Sequence, residues 1–169
     1  WSKKIDKTHT AQLQVTLTVP DITFLKHTAD SAAASWRALG IPTQVNIVSV
    51  NDLLRDTIPN RTYELLLYGN VISPPYDLFP FWHSSQRFAP GLNLALYENR
   101  TVDALIESVR QTDDGAKQLT NLATIERLIT DDVPAAFLFS LPYTYVYGNA
   151  AAVSLPPLIV AAADRFRDI

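Results

Sequence analysis

Asp77, His83, Ser84 and Ser85 sit together in YDLFPFWHSSQ and are of the types that nucleophilic hydrolysis requires. In that chemistry a serine attacks, a histidine takes its proton and a carboxylate orients the imidazole. Proximity in sequence does not create the geometry, and the G-x-S-x-G turn that presents a nucleophilic serine is absent. A histidine flanked by Trp82 and Ser84 reads first as a capping or packing residue, so no catalytic residue is expected. An enzyme or sensor domain using His83 and Asp77 is the alternative reading. Phosphate cradling needs clustered glycines, whereas the five here, Gly40, Gly69, Gly91, Gly115 and Gly148, are scattered. His9, His27 and His83 stand far apart and near no carboxylate pair with ligand spacing, so neither a metal nor a cofactor is implied. The doublets Asp113-Asp114 and Asp131-Asp132 read as solvated helix ends.

Noncovalent binding fits the same stretch better. Tyr63 to Gly69 (YELLLYG) is apolar except for Glu64 and reads as a strand covered on both faces. Pro74 and Pro75 forbid its continuation. Phe79, Phe81 and Trp82 follow beside Tyr76, Asp77 and His83. Open α/β sheets bind ligands beyond the carboxyl ends of their strands. Tyr68, Asn70, Val71, Ile72, Ser73, Tyr76 and Asp77 are therefore the expected ligand-binding residues, at one end of the sheet and at the mouth of a concave surface.

The elements that must position them are legible as patterns. Residues up to Ala11 are polar and read as a lead-in loop. Leu13, Val15, Leu17 and Val19 alternate with polar residues as in a strand; such alternation fits an edge strand or a polar cavity on one face. Leu25, Ala29, Ala32, Trp36 and Leu39 form one stripe of a helix capped by Asp21 and closed by Gly40, with Trp36 largely buried. Thr43 to Val50 is a second strand, and Asn51 caps a short helix from Asp52 to about Ile58. The order is thus β-α-β-α-β, which implies parallel strands with right-handed crossovers. Further helices are expected over Asn99–Gln111 and from Leu119 to Ile129, and Ala135 to Gly148 reads as extended, divided by Pro142.

Composition bounds the rest. A chain of 169 residues, 47% apolar and 18% charged, forms one domain by default. A net charge of −3 with scattered basic residues leaves no nucleic-acid footprint. No run of 18 apolar residues occurs, so no membrane-spanning helix is expected. Absence of cysteine excludes thiolate chemistry. Asn60-Arg61-Thr62 and Asn99-Arg100-Thr101 match a glycosylation pattern that arises easily by chance. The chain opens at Trp1 without methionine and reads as a processed chain or an excised piece.

Taken in order, these pieces resemble the extracytoplasmic solute-binding proteins of peptide and nickel type, solute-binding protein family 5. Trp1 stands where the family has an Ala-Gly-Trp lead-in, and ALGIPTQVNIVSV looks like its "lGI-x-V-x" strand. YELLLYG resembles "Y-D-L-x-L-x-G", and PPYDLFPFWHSSQ resembles "P-D-P-x-x-F-x-H-S". NLALYENRTVDALIESVR looks like "N-x-x-G-Y-x-N-P-x-V-D-x-L-I-x-x-A-R", and DVPAAFLFSLPYTYVYG resembles "D-x-P-x-I-P-L-Y-x-x-x-x-Y-x-Y". The likeness covers nearly the whole chain.

It implies an α/β, periplasmic-binding-protein-like (type II) lobe with a mixed, mostly parallel sheet flanked by helices. Residues 1–169 would be a single lobe, the C-terminal one, with 150–169 as an exit segment toward the missing N-terminal lobe. The implied function is capture of an oligopeptide or similar small solute in an inter-lobe cleft for an ABC permease. The implied protein is extracytoplasmic, periplasmic or a cell-surface lipoprotein, and a monomer. In peptide-binding members an aspartate shortly after the third strand takes the ligand's amino terminus, and the matching position here is Ser73. The aromatic common after the strand's glycine is replaced by Asn70. Both substitutions count against peptide recognition, since a serine cannot supply the charge-assisted bond that a free ammonium favours.

Overall fold

The computed structural model describes residues 2–4, 10–70 and 77–141, with side chains from residue 13 onward. The chain divides into two compact units, one of Trp1–Asn70 with Ser85–Leu94, the other of Val71–Ser84 with Ala95–Ile169.

In the first unit the polar lead-in is not all loop: β1 (Ser2–Lys4) and β2 (Thr10–Gln12) pair antiparallel. Three-residue strands without apolar alternation leave no pattern to read. β3 (Val15–Pro20) lies between β4 (Thr43–Val48) and β5 (Leu65–Leu66), parallel to both. The edge position that its alternation suggested is therefore wrong. Leu17, Thr18, Val19 and Pro20 are all buried, and Thr18 is only 2% exposed. A β-branched threonine packs well on a pleated surface, and this one fills a core position.

Helix α1 (Thr23–Ala38) connects β3 to β4 and buries Leu25, Ala29 and Ala33. Trp36 is half-buried at the margin of the cluster formed by Leu17, Val19, Leu25 and Ala29, not largely buried as its spacing implied. Leu39, the last member of the expected stripe, is 65% exposed because the helix has already ended. Asp21 does not cap α1; its carboxylate takes Lys26 as partner, and the N-cap residue is Ile22, without a side-chain bond. The C-terminus follows expectation. Gly40 sits at φ 78°, with Gly40 N donating to Arg37 O and Ile41 N to Trp36 O. Those two bonds satisfy carbonyls that the helix leaves open.

Helix α2, residues 50–60, has a widened π turn over Leu53–Thr57 between the segments Val50–Asp52 and Ile58–Asn60. Its cap is Ser49, whose hydroxyl accepts from Asp52 N at 3.1 Å, so the helix starts earlier than Asn51 would have set it. Pro59 cannot donate to the Arg55 carbonyl and would crowd it in a regular helix, which accounts for the widening just upstream. Strand β5 is much shorter than YELLLYG suggested and is not covered on both faces; Leu65 is 39% exposed. Among the described residues it pairs with β3 alone. Glu64, the one charged residue of that run, explains part of the shortness. Its Oε2 accepts from Thr16 N at 2.7 Å, so a side chain satisfies a β3 amide that a longer β5 would have paired.

The second unit is helical in its described part. A short helix α3 (Phe79–Trp82) precedes α4 (Arg100–Gln111) and α5 (Gly115–Asp132). Asn99 caps α4 through Thr101 N and Val102 N, and Asp114 caps α5 through Ala116 N and Lys117 N. Val102 and Ile106 of α4 meet Ile125 and Ile129 of α5, with Tyr97, in a buried cluster. Residues 135–141 form no strand, and the remainder of the expected extended segment, with 150–169, lies outside the described residues.

Core depth ranks two substitutions in the first unit. Leu17→Ala, at a 5% exposed position, should cost about 2–5 kcal/mol. Trp36→Ala, at the margin, should cost less, about 1–2 kcal/mol. Urea denaturation of both variants measures the order, and a larger loss for Trp36→Ala would place the indole in the core.

Candidate functional site

Tyr68 and Asn70 follow β5 and line a recess of about 280 Å³ in the first unit. The other walls are Leu54, Ile58 and Pro59 of α2 and the loop carrying Pro90, Leu92 and Leu94. That loop is held by its own carbonyls. Arg61, in the left-handed conformation at φ 53°, donates from Nε to Arg87 O at 3.0 Å and from Nη2 to Gly91 O at 2.7 Å. Its Nη1 donates to Ile58 O, the end of α2. The Tyr63 hydroxyl donates to Leu94 O at 2.7 Å, and burial pushes its pKa up. Gly91 is needed for the close approach: a Cβ there would lie 2.2 Å from Gln86 O. Sequence reasoning missed Arg61 and Tyr63, whose only visible cue was their place between a helix-breaking proline and a strand.

Asp77 belongs to the second unit. Its Oδ1 accepts from Phe79 N at 3.1 Å and lies 3.6 Å from Arg110 Nε. The Arg110 guanidinium sits 4.4 Å from the Phe79 ring centroid, a cation–π contact. Phe79 also stacks on the buried His83 ring at 4.3 Å. His83 Nε2 lies 3.3 Å from Glu107 Oε1 and 4.0 Å from Asp103 Oδ1. Ser84 donates to Asp103 from both its amide, at 2.8 Å, and its hydroxyl, at 2.6 Å. Asp103, Glu107 and Arg110, spaced along one face of α4, thus fasten the aromatic loop from three points. Asp77 pairs with Arg110 and His83 with Glu107, so the couple considered for chemistry is not assembled. Val71, Ile72, Ser73 and Tyr76 lie outside the described residues.

A third polar cluster ties the end of α5 to the approach to α4. Tyr97 donates its hydroxyl to Asp132 Oδ2 at 2.6 Å, and Asn99 donates to the same oxygen at 2.9 Å. Burial, then the bond to Asp132, pushes the Tyr97 pKa up to about 12; the two donors hold the Asp132 carboxyl below its usual range. Among the described residues no group of three or more histidines and carboxylates is placed to hold a metal ion, and no helix is long and apolar enough to cross a membrane.

Gly91→Ala should cost about 1–3 kcal/mol in urea denaturation, as overpacking against backbone does. Gly115→Ala, where a Cβ meets nothing within 4 Å, should be neutral or mildly stabilising. Equal effects at both positions would contradict the close approach. The Tyr97–Asp132 bond is tested by pH. A tyrosine pKa raised from 10.0 to about 12 contributes stability that is complete below pH 10 and lost as the pH rises through about 12. The depressed Asp132 adds stability above its unfolded pKa and loses it as the pH falls through the folded one. The stability gap between the protein and Tyr97→Phe should therefore narrow at both extremes; a gap that stays flat above pH 10 would show that the hydroxyl contributes nothing.

No protein-family model matches the chain, and no curated protein sequence matches it. Solved structures do. The oligopeptide-binding protein AppA from Bacillus subtilis, in complex with a nonapeptide, matches with a TM-score of 0.69 and 21% identity over 79% of this chain and 28% of its own. The ABC transporter-associated periplasmic binding protein DppA from Helicobacter pylori, in complex with the peptide STSA, matches with a TM-score of 0.62 and 16% identity, covering 73% and 24%. NikZ from Campylobacter jejuni, in complex with Ni(L-His), matches with a TM-score of 0.61 and 16% identity, covering 79% and 28%. The chain spans about a quarter of the length of these structures. What it shares with these peptide- and nickel-binding proteins is a periplasmic-binding-protein-like fold, the α/β architecture its sequence pattern implied.

Proposed function

We propose that this chain is the substrate-binding lobe of an ABC transporter's solute receptor and takes an oligopeptide or similar small solute. The observation that carries the reading is the match to a segment of binding proteins whose structures contain a nonapeptide, the peptide STSA and Ni(L-His). Tyr68 and Asn70 support it, since both follow a parallel strand and line a concave surface. On this reading Val71, Ile72, Ser73, Tyr76 and Asp77 complete the ligand-facing stretch. Residues 1–169 form one lobe of a two-lobe receptor, 150–169 lead to the N-terminal lobe, and the cleft between lobes holds the solute. The receptor works outside the cytoplasm, in the periplasm or as a lipoprotein, as a monomer that delivers to a permease. Binding, not turnover, is its activity.

With Ser73 and Asn70 in place of the acid and the aromatic, the ligand is not held through a charged amino terminus. That leaves a blocked or internal peptide segment, or a neutral solute, as the favoured cargo.

A hinged receptor relies on closure to exclude water, and contacts from one wall must still offset about 4 kcal/mol or more of lost ligand freedom. The 169-residue chain alone should therefore fold but bind its solute no better than millimolar. Mass spectrometry of the full-length protein should identify a copurified solute, and calorimetry should show micromolar or tighter binding only there. Turnover of an ester or peptide by the 169-residue chain, abolished by His83→Ala, would establish the enzyme reading instead.

A further inference from the structure

We infer that Asn60 carries an N-linked glycan in the exported protein, and that Asn99, in the second Asn-x-Thr sequence, stays bare. A three-residue match carries little weight by itself, but the two asparagines stand in opposite structural situations. The inference rests on the extracytoplasmic part of the receptor reading, because such glycans are transferred outside the cytoplasm.

Asn60 is the last residue of α2 and is exposed. Among the described residues its side chain makes no hydrogen bond. The backbone of the sequence is satisfied without it: Arg61 N donates to Ile58 O at 3.2 Å and Thr62 N to Thr57 O at 3.1 Å. Ile58, Pro59 and Arg61 line the recess beside it, whereas Asn60 does not, so a substituent on its amide displaces no wall. Thr62, whose hydroxyl the acceptor pattern requires, is exposed as well.

Asn99 is committed at both ends of its amide. Its Oδ1 accepts from Thr101 N and Val102 N at the start of α4, and its Nδ2 donates to Asp132 Oδ2 at 2.9 Å. A glycosylated amide keeps one N–H, but it holds the sugar carbon on the side of Oδ1. A sugar there crowds the amides that Oδ1 serves, and the first turn of α4 loses its cap.

In the transfer step Asn60 Nδ2 attacks the anomeric carbon of a lipid-linked oligosaccharide pyrophosphate. The C–N bond forms as the C–O bond to the pyrophosphate breaks, Nδ2 gives up one proton, and the lipid pyrophosphate leaves. No oxidation or reduction is involved. Transfer to the chain before it folds meets neither the Arg61 anchors nor the α4 cap. The fold then decides which modified asparagine it can house.

The test is mass spectrometry of peptides covering both sequences, from the full-length protein recovered from its native cell envelope. The Asn60 peptide should carry a glycan on most copies and the Asn99 peptide none. Asn60→Gln should abolish the modification. In protein made without glycan in a bacterial cytosol, Asn60→Gln should leave the urea midpoint unchanged, whereas Asn99→Gln should lower it. A bare Asn60, a glycan on Asn99 of the folded protein, or a midpoint lowered by Asn60→Gln would each overturn the assignment. Failure of the receptor reading looks different. A glycan on Asn60 of a protein that copurifies with no solute upholds this site and counts against that reading. A solute-bearing envelope protein with a bare Asn60 overturns the glycan alone.

Discussion

Parallel pairing on both edges of β3 is the constraint from which the first unit follows. A strand in the middle of a sheet must place every amide and carbonyl on a neighbour, and parallel neighbours can be reached only by crossovers. The sequence between β3 and β4 must therefore hold a helix, α1, and that between β4 and β5 another, α2. Both crossovers return the chain to the same end of the sheet, so the residues after β5 emerge where β3 and β4 also finish. Asp21 N still donates to Val48 O at 2.8 Å just past the end of β3, and Leu67 N donates to Thr18 O at 2.9 Å on the other edge. The placement of Tyr68 and Asn70 is a consequence of this topology rather than a separate device.

The same constraint explains what the sequence could and could not show. The β-α-β-α-β order, the closure of α1 at Gly40 and the helix end at Asp113-Asp114 are local events, each set by residues near one another in the chain. They were legible. The length of β5 depends in part on Glu64 reaching the Thr16 amide, a pairing of residues far apart in the chain, and no local pattern carries it. Trp36 and Leu39 share a stripe with Leu25 and Ala29, yet the helix ends before Leu39 and the sheet stops short of covering Trp36. Periodicity gives the side of a helix that faces inward, not how far the opposing surface extends.

The candidate site divides along the same line. Tyr68 and Asn70 could be named because they follow a strand. Arg61 and Tyr63 could not, because their work is to hold carbonyls of a loop 26 to 31 positions later, from Arg87 to Leu94. Backbone carbonyls have no side-chain identity, so a residue that binds them leaves no motif. Gly91 completes the arrangement by letting its backbone approach Gln86, and the loop becomes a fixed wall rather than a flap.

The residues that looked most like chemistry have their polar groups committed in the packing. A nucleophilic serine must share its proton with a base, but the Ser84 hydroxyl donates to Asp103. A general base needs its imidazole open to the reacting group, whereas His83 is buried against Phe79 and faces Glu107. Asp77, the expected orienting acid, closes a turn at Phe79 and pairs with Arg110. The Ser84–Asp103, His83–Glu107 and Asp77–Arg110 contacts fasten the aromatic loop to α4. These polar groups serve as anchors of the loop. A binding surface needs such anchoring because affinity lost to disorder in the protein must be recovered from contacts with the ligand.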